Sequence, residues 1–232
     1  MIIIRKNLDR GIAEHGWLHA KHTFSFSGYY DEKFMGFRKL RVINEDCVEP
    51  GQGFPTHGHK NMEIVTYVLS GALEHKDSLG NGSVIVPGEV QLMSAGKGIQ
   101  HSEFNHSQSE QLQLLQIWIE SAEKDGVPTY QQQDFKLHQD KFTLVVSPNG
   151  ERNSLKIKQD VKIYRGLLNQ NEKIQYKLEK ERHAWIQIAK GNLKLGDSLM
   201  LMQGDAAGFT EGDMISMMTE NNSCEFLLFD LN

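Results

Sequence analysis

Residues 51–59 read Gly51-Gln52-Gly53-Phe54-Pro55-Thr56-His57-Gly58-His59, with Glu63 and Gly71 following at short intervals. On an extended chain, residues two apart point to the same face about 6 to 7 Å apart, so His57 and His59 aim both imidazoles to one side. Imidazole suits iron, copper, nickel and zinc alike. Taken alone, a His-x-His beside a glycine turn reads equally well as a pair of surface histidines. A second stretch, Gly96-Lys97-Gly98-Ile99-Gln100-His101-Ser102-Glu103-Phe104-Asn105, delivers another same-face pair, His101 and Glu103, from another glycine turn. Three imidazoles and a carboxylate from two strands can close around a metal on one side and leave positions open on the other.

Outward from these stretches, the chain reads as strands. Ile64–Leu69, Leu112–Ile119, Phe142–Val146, Ala184–Ala189 and Glu225–Phe229 are short, apolar and rich in β-branched or aromatic residues. Turn clusters such as Ser78-Leu79-Gly80-Asn81-Gly82, Pro87-Gly88 and Gly196-Asp197-Ser198 separate them. No apolar stripe of helical period lasts four turns, and helix is expected only in short pieces such as Ser121–Asp125. The fold class is all-β, of barrel or sandwich type.

At 232 residues the chain has room for two domains of roughly 100 residues, each able to bury a core. Glu63-Ile64-Val65-Thr66-Tyr67-Val68-Leu69-Ser70-Gly71 resembles His183-Ala184-Trp185-Ile186-Gln187-Ile188-Ala189-Lys190-Gly191 in its apolar pattern and closing glycine. The halves therefore read as duplicated barrels. Gly126–Asp134 is polar and turn-like and marks a boundary near residue 130, giving domains 1–130 and 131–232. The second half has no His-x-His and is expected to keep the fold without a metal.

Composition narrows the classes. Apolar residues are 39% of the chain and charged residues 24%, the balance of a globular protein. The net charge is −5 and the 25 basic residues are scattered, which argues against direct nucleic-acid binding. The apolar run Met1-Ile2-Ile3-Ile4 ends at Arg5, too short for a leader or a membrane span. Cys47 and Cys224 match neither a metal clip nor a disulfide framework, and a cytoplasmic protein with reduced thiols is expected. Of the other histidines, His22 sits in an aromatic segment that can wall a pocket, as readily as it can be structural. His15, His19, His75, His106, His138 and His183 match no ligand spacing and read as surface or capping residues.

The two glycine-histidine stretches resemble the motifs of the cupin superfamily. Gly51, His57, His59, Glu63 and Gly71 fit the first motif with one extra residue before the final glycine, and Gly98, His101 and Asn105 fit the second, with Gly96 in place of a proline. His22-Thr23-Phe24-Ser25-Phe26, His57-Gly58-His59 and Ser94–Glu103 narrow the resemblance to the pirin family, in particular bacterial pirin-like quercetin 2,3-dioxygenases. The resemblance implies two tandem cupin barrels of jelly-roll (double-stranded β-helix) form, with metal only in the N-terminal one. It also implies that Glu103 completes a ligand set of His57, His59 and His101. Spacing alone does not choose between Glu103 and Glu63, which other cupins use. Glu63 then stands as a pocket acid, as a group orienting a ligand histidine, or as a solvated strand-end glutamate.

The implied activity is metal-dependent cleavage of flavonols such as quercetin by dioxygen, with Glu103 as the catalytic carboxylate and Glu63 and His22 in the substrate pocket. The implied cofactor is one divalent ion, iron(II) by expectation, with zinc, copper, nickel, cobalt and manganese admissible. The partners are a flavonol or similar small aromatic and dioxygen, without nucleic acid or membrane, for a chain that can act as a monomer. The alternative is a pirin-like, metal-dependent regulatory or redox-sensing binding protein without physiological turnover.

Overall fold

The β-branched runs and glycine turns do form strands almost throughout the computed structural model, which describes residues 1–136, 140–212 and 214–232. His138 lies outside the described residues. Among them there is no α-helix, and Ser121–Asp125, expected as a short helical piece, is an irregular turn. The Ala122 N–H bonds the Lys158 carbonyl at 2.8 Å instead of a helical partner, and Asp125 takes a left-handed φ of 53°. No helix among the described residues is long and apolar enough to cross a membrane.

The chain groups into two compact units: Gly11–Leu137 with Ile157–Gln159, and Met1–Arg10 with His138–Lys156 and Asp160–Asn232. In chain order, β1 (Ile2–Arg5) belongs to the second of these. The first unit holds β2 (Gly11–Glu14), β3 (Leu18–His22), β4 (Leu40–Val48), β5 (Gly53–His59), β6 (Met62–Ser70), β7 (Leu73–Asp77), β8 (Gly82–Ile85), β9 (Glu89–Ser94), β10 (Ile99–Asn105), β11 (Leu112–Glu120) and β12 (Thr129–Asp134). The other unit continues with β13 (Phe142–Ser147), β14 (Leu155–Lys156), β15 (Val161–Leu168), β16 (Lys173–Lys177), β17 (His183–Gly191), β18 (Leu193–Leu195), β19 (Leu199–Leu201), β20 (Ala206–Phe209), β21 (Met214–Met218) and β22 (Cys224–Leu231).

Each unit has one seven-stranded and one four-stranded sheet, the two-sheet plan of a jelly roll. The large sheets run β12-β9-β6-β11-β4-β3-β2 and β1-β20-β17-β22-β15-β13-β14. The two segments that resemble each other in sequence, β6 and β17, occupy the same third position. The small sheets run β5-β10-β7-β8 and β16-β21-β18-β19.

Both large sheets end on a strand that the sequence reading does not assign to them. Thr129–Asp134, expected as part of a polar connection, pairs antiparallel with β9 from Thr129 opposite Ser94 to Asp134 opposite Glu89. An edge strand is paired on one side only, so its run of glutamines is tolerated where a central strand would reject it. The N-terminal isoleucine run is the matching edge of the other unit, with Ile2 opposite Phe209 and Arg5 opposite Ala206.

Within the first unit, Leu18, Val48, Val68, Leu73, Ile85, Leu112 and Leu114 pack together from both sheets. Strand β6 is buried from Glu63 to Leu69, which accounts for its nearly unbroken apolar sequence. Gly71 ends it at φ 78°, and a Cβ there would meet the Gln111 carbonyl oxygen at 2.8 Å. The corresponding core of the second unit gathers Leu144, Ile186, Ile188, Leu193, Phe226 and Leu228. Cys47 and Cys224 are free thiols, and burial raises the Cys224 thiol to about 12.

Candidate metal centre

The small sheet of the first unit carries the candidate ligands. Strand β10 alternates buried and less buried residues, with Ile99, His101, Glu103 and Asn105 inward. It pairs antiparallel with β5, setting His101 opposite His57 and Ile99 opposite His59. A bulge between His101 and Glu103 shifts the register so that Glu103 faces Phe54. The glycine turn before β10 is sterically required: Gly96 sits at φ 47°, and a Cβ there would lie 2.1 Å from the Gly126 carbonyl oxygen.

This register brings three imidazole edges to one point. His59 Nε2 stands 2.9 Å from His101 Nε2, which stands 3.0 Å from His57 Nε2. Nitrogens at right angles around an ion bound at about 2.1 Å would lie about 3.0 Å apart, so the spacing fits cis ligand positions. The proton of His57 is accounted for, because its Nδ1 lies 2.8 Å from the Pro55 carbonyl oxygen, which can only accept. Its Nε2 is thereby left with a lone pair facing the other two rings.

Electrostatics favours neutral rings. Desolvation, then the neighbouring His57 charge, lowers His59 to about 4. Desolvation, followed by His57, His59 and His75, lowers His101 to about 3. Neutral rings at His59 and His101 can turn lone pairs toward a divalent cation placed among the three Nε2 atoms.

Glu103 is 2% exposed and lies with His75 and His101 in a second group whose ligand atoms are all within 4.8 Å. Gln116 Nε2 donates to its Oε2 at 2.8 Å, and the Thr66 hydroxyl to its Oε1 at 3.5 Å. Burial, then the Asp46 charge, raises its carboxyl to about 7 against those two hydrogen bonds. The compact three-histidine group is His57, His59 and His101, and Glu103 joins it through His101.

His57, His59 and Glu103 line a cavity of about 950 Å³, and His101 lies against them without lining it. Its walls include Leu18, Ala20, Phe26, Tyr29, Phe54 and Trp118, and its polar side adds His22, Asn44, Asp46, His57, His59, Glu103 and Gln116. The size suits a drug-sized aromatic molecule. His22 is in the wall, with Nδ1 2.8 Å from Asn44 Oδ1 and its ring 5.2 Å from that of Phe26. Trp118 meets His59 edge-on at 4.9 Å.

Glu63 lies elsewhere. It is fully buried and outside the cavity lining, with Oε2 accepting from the Ser94 hydroxyl at 2.6 Å and from the Lys158 N–H at 3.3 Å. It is not the solvated strand-end residue that one reading of the sequence allowed. Sequence reasoning missed Asn44, Asp46, Gln116 and Trp118, whose signal was polar or bulky residues two apart, 44 with 46 and 116 with 118, on two strands of the large sheet. It also took His75 for a surface or capping residue, whereas His75 is fully buried between His101 and Asp77.

The comparisons agree with this architecture. The profile of the family described as Pirin matches residues 5–119, and that of the quercetinase C-terminal cupin domain matches residues 144–231. A quercetin 2,3-dioxygenase of Escherichia coli (strain K12) is 48% identical over 231 residues, covering 100% of this chain and 99% of that protein. A pirin-like protein of Caulobacter vibrioides is 39% identical over 99% of each. The crystal structure of the Escherichia coli bacterial pirin YhhW in complex with nickel(II) superposes with a TM-score of 0.94 at 47% identity, over 100% of this chain and 99% of that one. With that identity running end to end through both barrels, the chain belongs to the pirin family.

Proposed function

We propose that the protein is a metal-dependent dioxygenase that cleaves flavonols such as quercetin, with one divalent ion held by His57, His59, His101 and Glu103. The carrying observation is the convergence of three Nε2 atoms, two of them from residues that line a cavity of about 950 Å³ together with the buried carboxyl of Glu103. The 48% identical relative carries the name quercetin 2,3-dioxygenase, and nickel(II) is bound to the homologous pirin, which supports the reading. Iron(II) is our expected native ion, with nickel(II) next.

A divalent ion in this nest would supply Lewis-acid polarisation of the flavonol oxygens. The chain does the remainder. Phe26, Tyr29, Phe54 and Trp118 offer aromatic surface to a planar substrate and exclude water from it. Glu103, or Asp46 beside it, takes the proton of the flavonol 3-hydroxyl, both carboxyl groups standing in the cavity lining. His22 and Asn44 form a hydrogen-bonded pair on the polar side and orient the ring hydroxyls. Ring opening with uptake of both oxygen atoms and loss of carbon monoxide completes the proposed reaction. The free thiols fit the cytoplasmic location that we assign to it.

The test is oxygen-electrode and carbon monoxide measurement over a flavonol panel, using untagged protein reconstituted separately with iron(II), nickel(II), manganese(II) and cobalt(II). Stoichiometric oxygen consumption and carbon monoxide release are expected. No uptake with any ion, together with tight metal binding, would move the reading to a regulatory metal-binding pirin.

A further inference from the structure

Behind the candidate ligands lies a second row of polar groups whose protons have one assignment that leaves the Nε2 triangle open to an ion. Strand β7 pairs with β10 so that Asp77 faces His101 and His75 faces Glu103. His75 is fully buried, with the Tyr130 ring stacked on it at 4.9 Å and 25°. Its Nε2 lies 3.2 Å from Asp77 Oδ2, and its Nδ1 lies 3.5 Å from His101 Nδ1.

Asp77 anchors the row. Its Oδ1 accepts from the Leu79 N–H at 2.9 Å and the Asn81 N–H at 3.0 Å, and the Asn81 amide donates to Oδ1 at 3.2 Å and Oδ2 at 2.9 Å. A carboxylate ringed by donors can only accept. The proton facing it must therefore sit on His75 Nε2, which leaves His75 Nδ1 as a lone pair. The contact between the two Nδ1 atoms is attractive only if His101 carries its proton there. His101 Nε2 is then a bare acceptor turned toward His57 and His59, and its 3.0 and 2.9 Å contacts there become favourable with an ion among the three Nε2 atoms.

We propose that Asp77 and His75 are positioning residues that lock His101 in its Nδ1–H tautomer, so that its Nε2 is held ready for the ion before the ion arrives. The inference rests on the reading of His101 as a ligand. Partners behind a ligand histidine of this kind are worth about 10- to 100-fold in metal affinity. The fixed tautomer removes the alternative in which Nε2–H points into the site and must be displaced on binding.

Two measurements on the intact chain test this: the His101 tautomer, from long-range ¹H–¹⁵N NMR of the metal-free protein, and nickel(II) affinity by chelator competition. The wild type is expected to show His101 as Nδ1–H, and finding it as Nε2–H overturns the proposal without any variant. Asp77→Asn places an amide donor against His75 Nε2, so His75 and then His101 should switch tautomer and nickel(II) affinity should fall about 10- to 100-fold. His75→Leu should lose a similar amount, whereas His75→Asn, which can present an oxygen near the former Nδ1, should recover to within a few-fold of wild type. Wild-type affinity and an unchanged tautomer in folded Asp77→Asn also overturn it. His57→Ala and His101→Ala are the controls: if they keep nickel(II), the metal-centre reading fails, and if they lose it while Asp77→Asn does not, only the relay falls.

Discussion

The Ser94 hydroxyl donates to Glu63 Oε2 at 2.6 Å, and the Lys158 backbone N–H adds a second, longer bond at 3.3 Å. Both donors depend on one buried carboxylate oxygen, and Glu63 Oε1 has no partner among the described residues. Glu63 thus ties β6 to β9 and to the segment Ile157–Gln159 of the same unit.

Glu63→Ala should leave two donors unsatisfied and cost about 2–6 kcal/mol in chemical denaturation, since each buried orphan costs about 1–3 kcal/mol. Glu63→Gln keeps an acceptor oxygen for Ser94 and should unfold within about 1 kcal/mol of wild type. Both variants should bind metal stoichiometrically. Loss of metal from folded Glu63→Gln, with Glu103→Gln fully loaded, would transfer the ligand role to Glu63.

His57→Ala, His59→Ala and His101→Ala should each give a folded protein with little bound metal. The strands and the apolar cluster of Leu18, Val48, Val68 and Leu112 do not depend on these rings, whereas the Nε2 triangle does. Circular dichroism and elemental analysis decide it, and near-stoichiometric metal in all three would remove the site.

Much of the centre is legible in the chain because its signals are local. His57 with His59, and His101 with Glu103, lie two residues apart beside glycines, so one strand's period reveals each pair. What joins the pairs is the β5–β10 register, a contact between residues more than forty positions apart that no local pattern encodes. Glu63 and Glu103 are alike in spacing, and only the environment separates them: a serine hydroxyl and a backbone N–H for one, a cavity with Gln116 and Asp46 for the other. Asn44 and Asp46 are buried on either side of the half-buried Glu45, and in the polar run Asn44-Glu45-Asp46 nothing in the sequence says which face is inward. The edge strands β1 and β12 were missed because an edge asks little of composition, and β1 lies some two hundred residues from its partner β20.

That distant pairing has its own consequence. Lys6 Nζ bonds Asp205 Oδ2 at 2.8 Å and the Asn7 N–H bonds Asp205 Oδ1 at 2.7 Å, so residues 1–10 close the β20 edge with a strand and a buried acid's partners. Deleting residues 1–10 should lower the melting temperature of the second unit by several degrees and promote aggregation through the exposed β20 edge. Nickel(II) affinity should be unchanged. The full chain should bind one divalent ion tightly and no second one, because among the described residues of the second unit no His, Cys, Asp and Glu group is arranged to hold one. Calorimetry tests both statements.

The last prediction uses the titration of Glu103. Burial and Asp46 raise its carboxyl from 4.5 to about 7, while His59 and His101 are lowered to about 4 and 3. At pH 6 the metal-free protein therefore holds a proton on Glu103 and none on His59 or His101. If Glu103 is a ligand, the ion must displace that proton, and binding at pH 6 should release roughly one proton more from wild type than from Glu103→Gln. The contribution of His57 is common to both proteins and cancels. At pH 8.5 Glu103 is already ionised and the difference should vanish. Titrations in buffers of different ionisation enthalpy read this directly, and equal release at pH 6 would sink the ligand role. The same shift predicts a stability trend in the metal-free protein. Between pH 4.5 and 7 the folded state binds the Glu103 proton more tightly than the unfolded chain does, so this contribution is present below 4.5 and is lost as pH rises through 7. Relative to wild type, metal-free Glu103→Gln should gain up to about 3 kcal/mol between pH 4.5 and 8. Parallel pH profiles for the two proteins would show that Glu103 titrates as an ordinary carboxylate in the metal-free protein, and the extra proton release expected at pH 6 would then have no source.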